Sequence, residues 1–81
     1  MRGGYWTEHL VPSWNDAMSA LMAEFADRWR IEPRDYADGP KLAAWPRPDD
    51  PLFIPIVRTT PVALGEALRE HELAEAERAR R

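Results

Sequence analysis

The chain has 81 residues, a formal net charge of −3 and no cysteine. A chain of this length forms one small domain, and without cysteine it has neither a disulfide framework nor a thiolate metal site. The mildly acidic balance argues against a dedicated nucleic-acid binder, which usually carries a basic surplus. No apolar run approaches the length of a membrane span, and the first residues lack the apolar core of a signal peptide. We therefore expect a cytoplasmic protein, or a virion component if the protein is viral.

Residues 1–12 are expected to form an extended N-terminal segment. From Tyr5 to Val11, residues that favour strands alternate between two faces. This pattern predicts an edge strand, which allows a minimal two-stranded pairing with the apolar residues 52–57.

The best-specified element is a central helix over residues 13–30. Ser13 has the side chain of an N-cap, and Pro33 biases the residue before it away from helical conformation. Large apolar side chains recur at steps of three and four, which puts them on one helical face: Trp14, Ala17, Met18, Leu21, Met22, Phe25 and Trp29. We interpret this face mainly as core; the alternative is a partly exposed partner-binding face, because Met and Trp are enriched at interfaces.

The middle of the chain is rich in proline. Pro33 and Pro40 are each expected to begin a short helical turn, because proline is tolerated at the first helical position. Residues 46–59 then form a Pro-rich extended segment. Within it, residues 52–57 are apolar on both faces, and Pro55 confines them to a sheet edge or to a path outside a sheet. We expect these faces to be covered either within the domain or, for one of them, by another chain.

A C-terminal helix is expected over residues 60–81. Thr60 has the side chain of an N-cap, and Pro61 suits the first helical position. Beyond His71 the apolar spacing fails and charged residues dominate, so the helix should run into solvent or onto a partner. Together these elements predict one small domain over residues 1–81 with a mainly α fold.

Candidate chemistry in the sequence is weak. His71 and Glu75 have the spacing of two metal ligands on one helix face, but no third ligand is marked. Asp49 and Asp50 lie between prolines, where Asp commonly forms turns. We therefore expect no catalytic residue, no metal, no cofactor and no small-molecule substrate. Basic and aromatic residues do interleave, as in single-strand binders, although acidic residues are mixed among them: Arg28, Trp29, Arg30, Arg34, Tyr36, Lys41, Trp45 and Arg47.

The leading functional hypothesis is a non-enzymatic protein-interaction protein, either a small subunit or an adaptor of a larger complex. The chain is short of stabilising devices, and its apolar extended segment cannot easily hide both faces. The expected partner-binding residues are on that segment and on the last helix: Phe53, Ile54, Ile56, Val57, Leu68 and Leu73. The alternatives are a self-assembling structural subunit, for example of a virus particle, and a nucleic-acid-associated regulator.

Overall fold

The computed structural model describes residues 13–80. Its elements are α1 (Trp14–Phe25), β1 (Trp29–Tyr36), β2 (Gly39–Pro46), β3 (Ile56–Arg58) and α2 (Pro61–Ala79). The three strands form one antiparallel sheet in the order β1-β2-β3. The fold is therefore α+β, and the expected mainly α fold is wrong. The expected strand over residues 5–11 lies outside the described residues.

Helix α1 begins as the sequence predicts and ends earlier. The Ser13 side chain accepts a hydrogen bond from the backbone N–H of Asp16 at 3.1 Å, which confirms the N-cap. The helix ends at Phe25, not at Arg30, and a turn leads directly into β1. Trp29 fits a helical spacing from Phe25, but it also begins an alternating strand pattern. The two periods coincide at this residue, so the apolar spacing alone could not locate the boundary.

The two expected helical turns are also wrong, because their residues form a β-hairpin. Strands β1 and β2 pair from Trp29 opposite Pro46 to Tyr36 opposite Gly39. Only two residues connect the paired ends, and Gly39 has a φ of +126°, which residues with a side chain rarely adopt. Asp38 and Gly39 therefore lie at the end of the turn, and both residue types are favoured in turns.

Within residues 13–80, both edges of the sheet carry features that disfavour pairing with a further strand. Pro33 lies in β1, which is an edge strand. A proline nitrogen cannot donate to a neighbouring strand, so Pro33 is tolerated there only because its nitrogen faces outward. At the other edge β3 has three residues, and the Arg58 side chain donates to the Val57 carbonyl at 2.7 Å. Pro55 directly precedes β3, so most of the predicted strand over residues 52–57 is loop.

The core lies between the sheet and the two helices. The strand register places Leu42, Ala44 and Ile56 on one face of the sheet, and residues of both helices pack against that face. The buried cluster is Leu21, Phe25, Trp29, Leu42, Ala44, Leu64 and Leu68. The predicted apolar face of α1 is therefore only partly core, because Trp14 and Met22 on the same face stay exposed.

Helix α2 follows its predicted start. The backbone N–H of Ala63 donates to the Thr60 hydroxyl at 3.1 Å, and Pro61 is the first helical residue. A bidentate ion pair then joins α2 to α1. The Nε and Nη2 groups of Arg69 donate to the two carboxylate oxygens of Glu24 at 2.9 and 2.8 Å. Within residues 13–80, neither helix is both long and apolar enough to cross a bilayer.

The core assignment predicts a large difference between two leucines. Leu68→Ala should lower the free energy of unfolding by about 2–5 kcal/mol, because it leaves a cavity in the fully buried cluster. Leu52→Ala removes the same atoms from an exposed loop, so it should change that free energy by less than about 0.5 kcal/mol. Urea denaturation followed by tryptophan fluorescence measures both. Equal costs for the two variants would contradict the assigned core.

Candidate interaction surface at the Phe53 loop

Three aromatic rings meet where the loop between β2 and β3 crosses the molecule. We call residues 47–55 the Phe53 loop. The ring of Phe53 packs edge-on against Trp29 of β1, with ring centroids 5.9 Å apart, and against His71 of α2, at 5.7 Å. Trp29 and His71 complete the triangle at 5.4 Å. Edge-to-face rings at these distances attract one another beyond their burial, so Phe53 fixes the loop to the body of the domain.

The polar end of Trp29 is satisfied by one carboxylate. Its indole N–H donates to Glu72 at 2.9 Å, and the Arg28 guanidinium donates to the two oxygens of Glu72 at 2.7 and 3.2 Å. The hydrogen bond from Arg28 is the largest cause that lowers the pKa of Glu72 below its ordinary value, with the bond from Trp29 also contributing. Glu72 therefore stays ionised at neutral pH and joins β1 to α2.

Two short hydrogen bonds shape the chain before Phe53. The Asp50 side chain accepts from the backbone N–H of Leu52 at 3.0 Å, and the Asp50 carbonyl accepts from the N–H of Phe53 at 3.0 Å. These bonds form a compact turn of the kind that Asp favours. Because Phe53 points inward, its two neighbours point outward: Leu52 is 89% exposed and Ile54 is 86% exposed.

Shallow grooves lie on both sides of Phe53. One groove, of about 400 Å³, is lined by the aromatic triangle together with Arg28, Pro46, Glu72 and Glu75. The other, of about 270 Å³, is lined by Arg30, Trp45, Phe53 and the acidic turn at residues 49–51. The loop thus presents two exposed apolar side chains between two concave surfaces, which is an arrangement that suits contact with another macromolecule.

The structure places the six sequence-predicted partner residues in three different environments. Phe53, Ile56 and Val57 are half-buried, and the first two pack against the core. Leu68 is fully buried in the core, so it cannot contact a partner directly. Ile54 and Leu73 are exposed. Leu73 lies about 200° around α2 from His71, so it does not share a surface with the Phe53 loop.

Sequence reasoning missed the most exposed apolar residue of this surface. Leu52 belonged to the apolar stretch, but nothing in its spacing distinguished it from Phe53. The sequence Asp-Asp-Pro before it was the available signal, because Asp in such a sequence favours a turn. The link from Trp29 to Glu72 spans 43 positions, and no local pattern could indicate it.

The remaining candidate chemistry is sparse in the described part of the chain. His71 and Glu75 approach to 3.7 Å on α2, but no group of three metal-ligating side chains occurs among residues 13–80. Arg30 and Arg34 both stack on the Trp45 ring, at 4.4 and 4.9 Å, and both pair with Glu32. The structure therefore brings part of the basic and aromatic set together, but the positive charges of that part are paired with a carboxylate of the same chain. Nucleic-acid binding stays a hypothesis, and the pairing of these arginines within the chain weakens the argument for it.

The role of Glu72 predicts a pH dependence of stability. Its pKa is lower in the folded protein, so its contribution is complete above the ordinary Glu pKa of about 4.3 and is lost as the pH falls through the lowered value. Glu72→Gln keeps an acceptor for Trp29 but loses the charge that pairs with Arg28. We expect it to lower the free energy of unfolding by about 0.5–1 kcal/mol at pH 7, and the deficit should shrink as the pH falls below about 4.

Glu72→Leu also removes the acceptor for the buried indole N–H. It should cost a further 1–3 kcal/mol, roughly the penalty of an unsatisfied buried donor. Urea denaturation at several pH values measures both variants. A deficit for Glu72→Gln that is the same at every pH would contradict the assigned ion pair.

No protein-family model, no curated protein and no solved structure matches this chain.

Proposed function

We propose that this protein is a non-enzymatic protein-interaction protein, a small subunit or adaptor that binds a partner protein through the Phe53 loop. The observation that carries the proposal is the near-complete exposure of Leu52 and Ile54 on either side of an anchored Phe53. Single exposed apolar residues are common on protein surfaces. Two exposed apolar residues on one short loop, with an inward-packed aromatic residue between them, indicate a binding surface more specifically than a single exposed residue does.

Several contacts within the domain restrict the conformation of the loop. Phe53 packs on two other rings, Asp50 closes the turn, and prolines at positions 48, 51 and 55 restrict the backbone. A preordered loop loses little conformational entropy on association, so more of its contact energy appears as affinity. This supports a binding role more strongly than exposure alone would.

The size of the contact indicates what the partner must supply. Full burial of a Leu or Ile side chain contributes about 1.5–3 kcal/mol, so Leu52 and Ile54 together contribute about 3–6 kcal/mol. Micromolar affinity requires about 8 kcal/mol. The partner must therefore offer an apolar cleft for the two side chains and also contact the flanking grooves.

Replacement of both exposed side chains tests the proposal. Leu52→Ser/Ile54→Ser should leave the free energy of unfolding within about 0.5 kcal/mol of the parent, because neither side chain packs on the core. The same variant should lose a partner that the parent protein captures stoichiometrically from its native cell. Affinity capture followed by mass spectrometry measures this.

Leu73→Ser is the matched control, because it removes an exposed leucine from a different surface. It should retain the partner. If the loop variant folds normally and captures the same protein in the same amount as the parent, the Phe53 loop is not the binding surface. Phe53 itself is a poor test, since its replacement also breaks packing with Trp29 and His71.

A further inference from the structure

A second pair of exposed apolar residues lies on α2, on a face of the helix that does not border the Phe53 loop. Val62 is 52% exposed and Leu73 is 66% exposed. They are separated by eleven positions, which is close to three turns, so they lie on one face about 16 Å apart. Between them on the same face are Glu66 and Arg69. This face lies about 120–160° around the helix from the buried Leu64 and Leu68, and it borders α1 through the ion pair of Arg69.

We propose that this face of α2 binds a second copy of the chain, with the two α2 helices antiparallel around a two-fold axis. In such a pair Val62 of each copy lies opposite Leu73 of the other, and Glu66 lies opposite Arg69. The pattern is self-complementary in the antiparallel direction, as a two-fold interface requires. A parallel pairing in register would instead place Glu66 against Glu66 and Arg69 against Arg69, which is repulsive.

The charged groups at the centre are available for this contact. Glu66 makes no ion pair with any of residues 13–80. Arg69 donates to Glu24 through Nε and Nη2, and its Nη1 donates to no acceptor within the same residues. A guanidinium has five N–H donors in a planar fork, so Arg69 can hold Glu24 and bind a second carboxylate, that of Glu66 in the other copy. The intramolecular pair also fixes the guanidinium in place beforehand.

The structure also provides a recess for Leu73 of the second copy. A groove of about 200 Å³ runs between α1 and α2 beside Val62. Small residues line much of it, with Ala17 and Ala20 on α1 and Gly65 on α2. The antiparallel register brings Leu73 of the second copy over Val62 and therefore to the rim of this groove. Each copy contributes one leucine and one groove, so the two apolar contacts are equivalent.

This inference does not depend on the proposed function of the Phe53 loop, because Leu52 and Ile54 take no part in it. The contact is small, so we expect weak association, with a dissociation constant on the order of 0.1 mM. Sedimentation equilibrium of the full chain should show the mass rising from one copy to two with concentration. Leu73→Glu should weaken the association about tenfold or more, since it removes the apolar contact and adds a charge on each side. Leu52→Glu is the control and should associate like the parent.

A charge exchange tests the register. Glu66→Arg alone should be monomeric, because the introduced guanidinium would face Arg69 of the other copy. Glu24→Arg/Arg69→Glu keeps the intramolecular pair in reversed order and should also be monomeric, because Glu66 then faces a glutamate. Mixed together, the two variants should form a one-to-one heterodimer. A parent protein that stays monomeric at about 1 mM, an unchanged dimer of Leu73→Glu, or a mixture that stays monomeric would each overturn the proposal.

Discussion

The contact that the rest of this structure depends on is the burial of the Trp29 ring. Trp29 begins β1, and its ring contacts Phe53 of the loop and His71 of α2. A buried indole is stable only if its N–H finds an acceptor, and Glu72 provides that acceptor. One side chain thus fixes the positions of a strand, a loop and a helix that are far apart in the sequence. The surface properties of the loop follow from that arrangement, since Leu52 and Ile54 point outward because Phe53 points toward Trp29.

The parts of the fold that the sequence predicted are those specified by neighbouring residues. The N-caps at Ser13 and Thr60 depend on a hydrogen bond to a residue three positions away, and both are confirmed. The strands were missed because prolines at positions 33, 40 and 46 are usually evidence against strands. Here they lie on the edge strand, next to a turn and at a strand end. Which edge of a sheet a residue occupies is a property of the whole fold, so local propensity could not decide it.

The sequence indicated which segment carries the candidate surface, but not which of its side chains point outward. The apolar stretch around Phe53 was singled out as unusual, yet most of it is loop and not strand. Asp50 forms a turn, and Phe53 packs inward on a ring contributed by a residue 24 positions earlier. Leu73 lies where the apolar spacing of α2 has already failed, and the structure has it exposed. Leu68 was predicted to bind a partner together with Leu73, although it lies four positions after Leu64, which is the spacing of two residues on the same buried helix face.

The proline in the outer strand has a consequence for the size of any assembly. Sheets that grow by adding strands at a bare edge have no built-in end and produce fibres. Pro33 interrupts one edge of this sheet, and the other edge is only three residues long with one carbonyl already bonded by Arg58. Among residues 13–80, side chains of the helices and the loop are therefore better placed for association than the sheet edges. A two-fold helix contact uses the same surface on both copies, so that surface is not available to a third copy. Such an assembly is finite, and the Phe53 loop takes no part in it.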